Sequence, residues 1–221
     1  GVHVGEVGGR ERLGQLLEQG AGGGLAAERD LLEDGRRPAL GLELGQEEAP
    51  PRGGGAGVGD LVPADGGQPV TVPCMAADGF KLTPAALAAA ITPRTRWLVL
   101  NSPNNPTGAV YTEAELRALY AVLKSHPQVW LMLDEIYEHY TYGGARHVSP
   151  LQFAPDLAQR TLLVNGLSKA YAMTGWRIGY GAGPRQLIKA IGLLLSQSTT
   201  CPSAMGQAAA AHALAGPQDC V

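Results

Sequence analysis

The sequence predicts an α/β domain with a mostly parallel sheet flanked by helices, over residues 70 to 221. Two observations carry this. From about residue 70, apolar runs of strand length alternate with segments of helical periodicity, the order that builds parallel sheets through crossover helices. The runs are also continuous rather than alternating, as in strands covered on both faces.

In order, Pro69-Val70-Thr71-Val72-Pro73 reads as a short strand. Thr83-Pro84 opens a helix through Ala90, since Thr is a good N-cap and Pro suits the first turn. Trp97-Leu98-Val99-Leu100-Asn101 is a buried strand by its apolar run. Thr112, with Glu115 three residues on, forms a capping box. The helix that follows repeats Leu116, Leu119, Tyr120 and Leu123 at helical spacing and ends across Lys124 to Pro127. Val129 to Leu133, Thr161 to Val164 and Ile178 to Gly181 are further strands; Gln186 to Ser196 and Ser203 to Ala215 are further helices.

Residues 1 to 69 are different in kind. They contain no Ser, Thr, Asn, Lys, Ile, Phe, Tyr or Trp and hold 19 of the 31 glycines. With few bulky anchors and a high backbone entropy to overcome, this segment reads as poorly ordered over its first 65 or so residues. Its skew also resembles out-of-frame translation of GC-rich DNA. Leu13 to Leu17 and Leu25 to Leu32 could form short amphipathic helices.

Charge and cysteine usage narrow the function classes. The net charge is -3 with a pI near 6.0, and no basic stripe argues for nucleic acid. No apolar run reaches the roughly 18 to 20 residues of a membrane span. Cys74, Cys201 and Cys220 stand far apart without a CxxC pair, which fits a reducing cytoplasm better than a disulfide framework or a zinc site.

Chemistry concentrates where strands end, the usual place for sites in open α/β sheets. The strand ending at Asn101 runs into Asn104-Asn105-Pro106-Thr107-Gly108, the next into Asp134-Glu135-Ile136-Tyr137, and the third toward Ser168-Lys169. Lys169 sits eight residues before Arg177, with a small-residue loop between them. A lysine can form a Schiff base with an aldehyde cofactor. An arginine can fork two hydrogen bonds onto a phosphate. Each cluster alone has a plainer reading: a turn, a loop carboxylate, a solvated cation. In sequence order and at successive strand ends they outweigh it. His139 and His147 show no carboxylate partner pattern and read as ordinary surface histidines, not metal ligands.

On these motifs, with Gly175-Trp176-Arg177-Ile178-Gly179, residues 70 to 219 resemble the large domain of class I/II pyridoxal-phosphate aminotransferases, the aspartate aminotransferase superfamily of fold type I. The likeness is greatest to the bacterial aspartate/aromatic branch. It implies an amino-acid transaminase with pyridoxal 5'-phosphate as cofactor, an amino acid and a 2-oxo acid as substrates, and a homodimeric, cytoplasmic parent protein. It implies that Lys169 bonds the cofactor covalently and moves the proton, and that Asp134 accepts from the pyridine N1-H. Asn105 and Tyr137 would bond the phenolic O3', and Arg177 would clamp the phosphate.

The chain also departs from the family pattern. A phosphate-cradling Gly/Ser/Ala loop and a ring-stacking aromatic belong where residues 1 to 65 stand, and that segment has neither Ser, Thr nor an aromatic. The family's small C-terminal domain, with its arginine for the substrate α-carboxylate, would begin about where this sequence stops. The resemblance therefore implies a partial large domain that is inactive by itself. A non-catalytic module of the same fold, as in regulators that fuse it to a DNA-binding head, is disfavoured because residues 1 to 69 show no helix-turn-helix pattern or basic head. A sister enzyme such as a carbon-sulfur lyase or an aminocyclopropane-carboxylate synthase-like enzyme shares the same cofactor residues and stays open at this point.

Overall fold

A computed structural model describes residues 69–221 and the backbone of residues 41–45. The expectations for the remainder of residues 1 to 68, disorder and the two short helices included, lie outside the described residues. The strands are β1 (Gly41–Gly45), β2 (Val70–Pro73), β3 (Trp97–Asn101), β4 (Trp130–Asp134), β5 (Thr161–Gly166) and β6 (Gly179–Ala182). They form one sheet in the order β2-β1-β3-β4-β5-β6. All pairs are parallel except β5 with β6, which run antiparallel with Gly166 opposite Gly179.

The sequence reading assigned no strand within residues 1 to 68, yet Gly41–Gly45 lies between β2 and β3. Because β2 lies on one side of β1 and β3 on the other, the strand order reverses there. In open α/β sheets ligands bind outside the carboxyl ends of the strands at such a reversal.

The helices are α1 (Pro84–Ala90), α2 (Glu113–Lys124), α3 (Arg185–Gln197) and α4 (Ala204–Ala215). Local chemistry fixes the starts of α1 and α2. Thr83 Oγ1 accepts from the Ala86 amide at 3.2 Å, with Pro84 in the first turn. At α2 the capping box forms in both directions: Thr112 Oγ1 accepts from the Glu115 amide at 3.3 Å, and the Thr112 amide donates to Glu115 Oε2 at 2.7 Å. Arg160 ties the far end of α2 to the sheet, donating to the carbonyls of Leu123, His126 and Val129 at 2.7 to 3.0 Å. Leu123 lies in the last turn of α2, where carbonyls lack intrahelical partners, and His126 and Val129 belong to the link into β4.

The main core lies between one sheet face and helices α1 and α2. Leu98 and Leu100 of β3, Leu131 and Leu133 of β4, Leu87 of α1, and Leu116, Leu119 and Leu123 of α2 are buried together. A smaller cluster packs Leu167 and Ile178 against Ala210 of α4. The continuous apolar runs of β3 and β4 predict burial on both faces. Among the described residues their burial alternates instead, and Trp97 and Trp130 are half-buried with ring centroids 5.7 Å apart.

Candidate functional site at the carboxyl edge of the sheet

The turn after β3 is built by its own asparagines. Asn101, in register with Asp134, donates from Nδ2 to the Asp134 carbonyl at 3.1 Å. Its Oδ1 accepts from the Asn105 amide at 3.1 Å and from Asn104 Nδ2 at 3.0 Å. Asn104 Oδ1 in turn accepts from Thr107 Oγ1 at 2.7 Å, and the Gly108 amide closes the turn onto the Asn104 carbonyl at 2.9 Å. Gly108 has φ +72°, a conformation that glycine adopts without steric cost. With Asn101 and Asn104 spent on holding the backbone, the Asn105 side chain is left at the surface, where Nδ2 donates to the Tyr137 hydroxyl at 3.2 Å.

Asp134 ends β4 half-buried, its Oδ1 accepting from the Ile136 amide at 3.2 Å. Burial pushes its carboxyl above the ordinary carboxylate range; the Ile136 hydrogen bond works against this and the neighbouring Glu135 charge adds to it. After Asp134 the chain coils tightly: the Glu138 amide donates to the Glu135 carbonyl at 2.9 Å, and Tyr140 to that of Tyr137 at 2.8 Å. The turn stacks Tyr137 edge-on against Tyr140, with ring centroids 5.9 Å apart at 87°.

Residues 167–178 connect the antiparallel β5 and β6 and so return to the same sheet edge. Gly166 permits this closure, since a Cβ there would lie 3.0 Å from Ile136 Cδ1 and 3.1 Å from the Ile178 carbonyl. Tyr140 Oη donates to the Lys169 carbonyl at 2.8 Å, fixing the loop's start. Lys169 Nζ stands 5.3 Å from the centre of the Tyr137 ring, within cation-π range. Thr174 Oγ1 donates to the Ser168 carbonyl at 3.0 Å, folding the loop back on itself. Arg177 takes a left-handed φ of +55° and donates from its guanidinium to the Thr174 carbonyl at 3.2 Å.

Of the five residues singled out by sequence, Asn105, Tyr137 and Lys169 come together directly. Asp134 stands at the same edge, joined to the asparagine turn through Asn101. Arg177 lies in the loop that carries Lys169. The sequence reading missed Asn101, Asn104 and Tyr140 as the groups that hold this arrangement. Tyr140 had a signal in its spacing, three residues after Tyr137, which puts two side chains on one side of a helical turn. His147 requires a correction. Its side chain is only 7% exposed and its Nε2 lies 3.2 Å from Glu135 Oε2, so it is no surface histidine. Its carboxylate neighbour is twelve positions away in sequence, beyond any local pattern. His139 is exposed as expected.

Comparison with known proteins places the chain. Residues 57–220 match the family model described as aminotransferase class I and II. The chain is 58% identical over 160 residues to an aspartate aminotransferase of Rhizobium meliloti (strain 1021), an alignment spanning 72% of this chain and 39% of that protein. It is 56% identical over 160 residues to the aspartate/prephenate aminotransferase of Cereibacter sphaeroides, spanning 72% and 40%. Its fold matches the crystal structure of the Rhizobium meliloti aspartate aminotransferase with a TM-score of 0.75 at 48% identity, covering 87% of this chain and 48% of the other. The aromatic aminotransferase of Pyrococcus horikoshii matches with a TM-score of 0.73 at 34% identity, covering 86% and 50%. The chain spans about two fifths of the length of the sequence relatives it matches. It belongs to the class I and II aminotransferase family, whose cofactor is pyridoxal 5'-phosphate.

Proposed function

We propose that this chain is the cofactor-holding part of an enzyme that moves an amino group from an L-amino acid of the aspartate or aromatic type to a 2-oxo acid. The observation that carries the proposal is the meeting of an amide, a phenol and a primary amine at one sheet edge. Asn105 bonds Tyr137 at 3.2 Å, and the Lys169 amine sits 5.3 Å from the Tyr137 ring.

The donor set suits pyridoxal 5'-phosphate group by group. An amine answers an aldehyde, an amide and a phenol answer a phenolic oxygen, a carboxylate answers a pyridinium, and a guanidinium answers a phosphate. When bound, the cofactor supplies an electrophilic carbon for amines and a protonated ring that takes up the electrons left on the substrate α-carbon. Lys169 Nζ would hold the cofactor's aldehyde carbon and, when free as an amine, would serve as the base that moves the proton from the substrate α-carbon. Asp134 accepts from the ring N1-H; the raised pKa of the bare chain comes from a buried charge that such a partner offsets. Asn105 and Tyr137 would donate to O3', and Arg177 would fork onto the phosphate. Tyr140 keeps Lys169 in place through its backbone carbonyl.

The proposal extends to organisation. Residues 70–221 act as the partial cofactor-binding domain, and the whole protein works as a homodimer in the cytoplasm, a location that suits the free thiols of Cys74, Cys201 and Cys220. No helix among the described residues is long and apolar enough to cross a membrane. Residues 1 to 69 supply no Ser, Thr or aromatic side chain to cradle the phosphate or stack on the ring, so the 221-residue chain alone turns over poorly.

The test is a spectrophotometric titration with pyridoxal 5'-phosphate, followed by product analysis with aspartate or an aromatic amino acid plus 2-oxoglutarate. Wild type should develop the visible band of a cofactor bound to an amine, and Lys169→Ala should not. Formation of a new amino acid supports transamination; elimination products in its place would reassign the chemistry to a lyase.

A further inference from the structure

A second group of polar side chains, Glu135 and His147 buried and Glu138 half-buried, lies beside this edge and was given no contact with the cofactor above. Glu135 follows Asp134, and its amide continues the strand ladder by donating to the Val164 carbonyl at 3.0 Å. Strand alternation therefore turns its side chain away from that of Asp134. Glu135 is only 3% exposed, and its Oε1 has no hydrogen-bond partner. His147 reaches it from the loop that precedes Ser149. Its side chain is 7% exposed, and neither Nδ1 nor Nε2 makes a hydrogen bond, although Nε2 lies 3.2 Å from Glu135 Oε2. Glu138, one turn after Glu135, completes the group. One ligand atom from each of the three residues lies within 4.8 Å of the others.

We propose that Glu135, Glu138 and His147 form a binding site for a divalent transition-metal ion of the zinc type. An imidazole nitrogen with two carboxylate oxygens is a ligand set for zinc or a neighbouring first-row metal, with water filling a fourth position. Charge points the same way: a divalent ion matches the charge of two carboxylates. A buried carboxylate oxygen and ring nitrogens without hydrogen bonds are costly, and a metal would satisfy the oxygen and one of the nitrogens. Tetrahedral coordination at zinc bond lengths sets ligand atoms about 3.3 Å apart. Binding would require the present spacing, within 4.8 Å, to close to that by side-chain rotation. An outer contact is already built, because Asn165 Nδ2, buried in β5, donates to Glu138 Oε1 at 2.7 Å and orients that carboxylate. Bound metal would pin the segment from Glu135 to His147, and with it Tyr137 and Tyr140.

The experiment uses the full chain with Cys201→Ser and Cys220→Ser, which removes the exposed thiols as rival ligands. After chelator treatment, Zn2+ is titrated calorimetrically. Co2+ then serves as a spectroscopic probe, since nitrogen-oxygen ligation and thiolate ligation give different spectra. The proposal expects one Zn2+ per chain, a nitrogen-oxygen Co2+ spectrum, and affinity at least 100-fold weaker in both His147→Ala and Glu138→Gln. Glu138→Gln keeps the acceptor for Asn165 and guards against misreading an unfolded variant. His212→Ala, at an exposed position on α4, should bind as the parent does. Absence of stoichiometric binding would overturn the site. Binding that both variants leave unchanged would overturn it as well.

Discussion

Replacing Asp134 by Asn should move stability and cofactor affinity in opposite directions. The residue is half-buried at the end of β4, and its carboxylate accepts from the Ile136 amide at 3.2 Å. Burial is the main reason that its pKa is raised from 3.8, with Glu135 adding to the shift and the Ile136 bond opposing it. The sign follows. A carboxyl whose folded pKa is raised contributes stability that is fully present below the unfolded value and is lost as pH rises through the folded value. Asn keeps the shape and the acceptor for Ile136 but carries no charge. Without cofactor, Asp134→Asn should therefore be more stable than wild type at neutral pH, with the gap closing as pH falls toward 3.8. With pyridoxal 5'-phosphate, the variant loses a hydrogen bond between a carboxylate and a protonated ring nitrogen. Bonds to charged groups are worth about 1.5 to 3 kcal/mol. That corresponds to roughly 10- to 150-fold weaker cofactor binding. Denaturant unfolding at neutral and acid pH, together with absorbance titration of the cofactor, reads both effects. Unchanged affinity, or a loss of stability in the cofactor-free variant at neutral pH, would refute the reasoning.

Three further substitutions probe the frame around the site. Tyr137→Phe removes the acceptor for Asn105 Nδ2 and a donor to the cofactor's phenolic oxygen, and should weaken cofactor binding about 2- to 10-fold in the same titration. Tyr111→Phe leaves the buried Leu82 amide without its acceptor, now at 2.6 Å, and should cost about 1 to 3 kcal/mol in denaturant unfolding; a loss under about 0.5 kcal/mol would mean that another acceptor takes over. Thr112→Ala breaks the capping box of α2 and should cost about 1 kcal/mol by the same measurement, with cofactor affinity unchanged.

What the sequence made legible was local. Thr112 with Glu115, and Thr83 with Pro84, announce helix starts because a cap acts over three or four residues. β3 and β4 stand out as apolar runs bounded by polar residues. The elements that depend on distant partners were hidden. Gly41-Leu42-Glu43-Leu44-Gly45 has no β-branched residue and glycine at both ends, and its place in the sheet is set by pairing with β2 and β3 far along the chain. The antiparallel direction of β6 follows from the short return through residues 167–178, not from any feature of Gly179 to Ala182. At the site, Asn105, Asp134, Tyr137, Lys169 and Arg177 were visible because their motifs end successive strands. The supporting bonds of Asn101 and Tyr140 and the burial of His147 beside Glu135 arise only when separate strands meet.

The central claim is that Lys169 is the amine that holds the cofactor. Incubating the chain with pyridoxal 5'-phosphate, reducing with borohydride and mapping the modified peptide by mass spectrometry tests it most directly. The account predicts a pyridoxyl group on Lys169, and none at that peptide in Lys169→Ala. A label on Lys81, Lys124 or Lys189, with Lys169 unmodified, would contradict it.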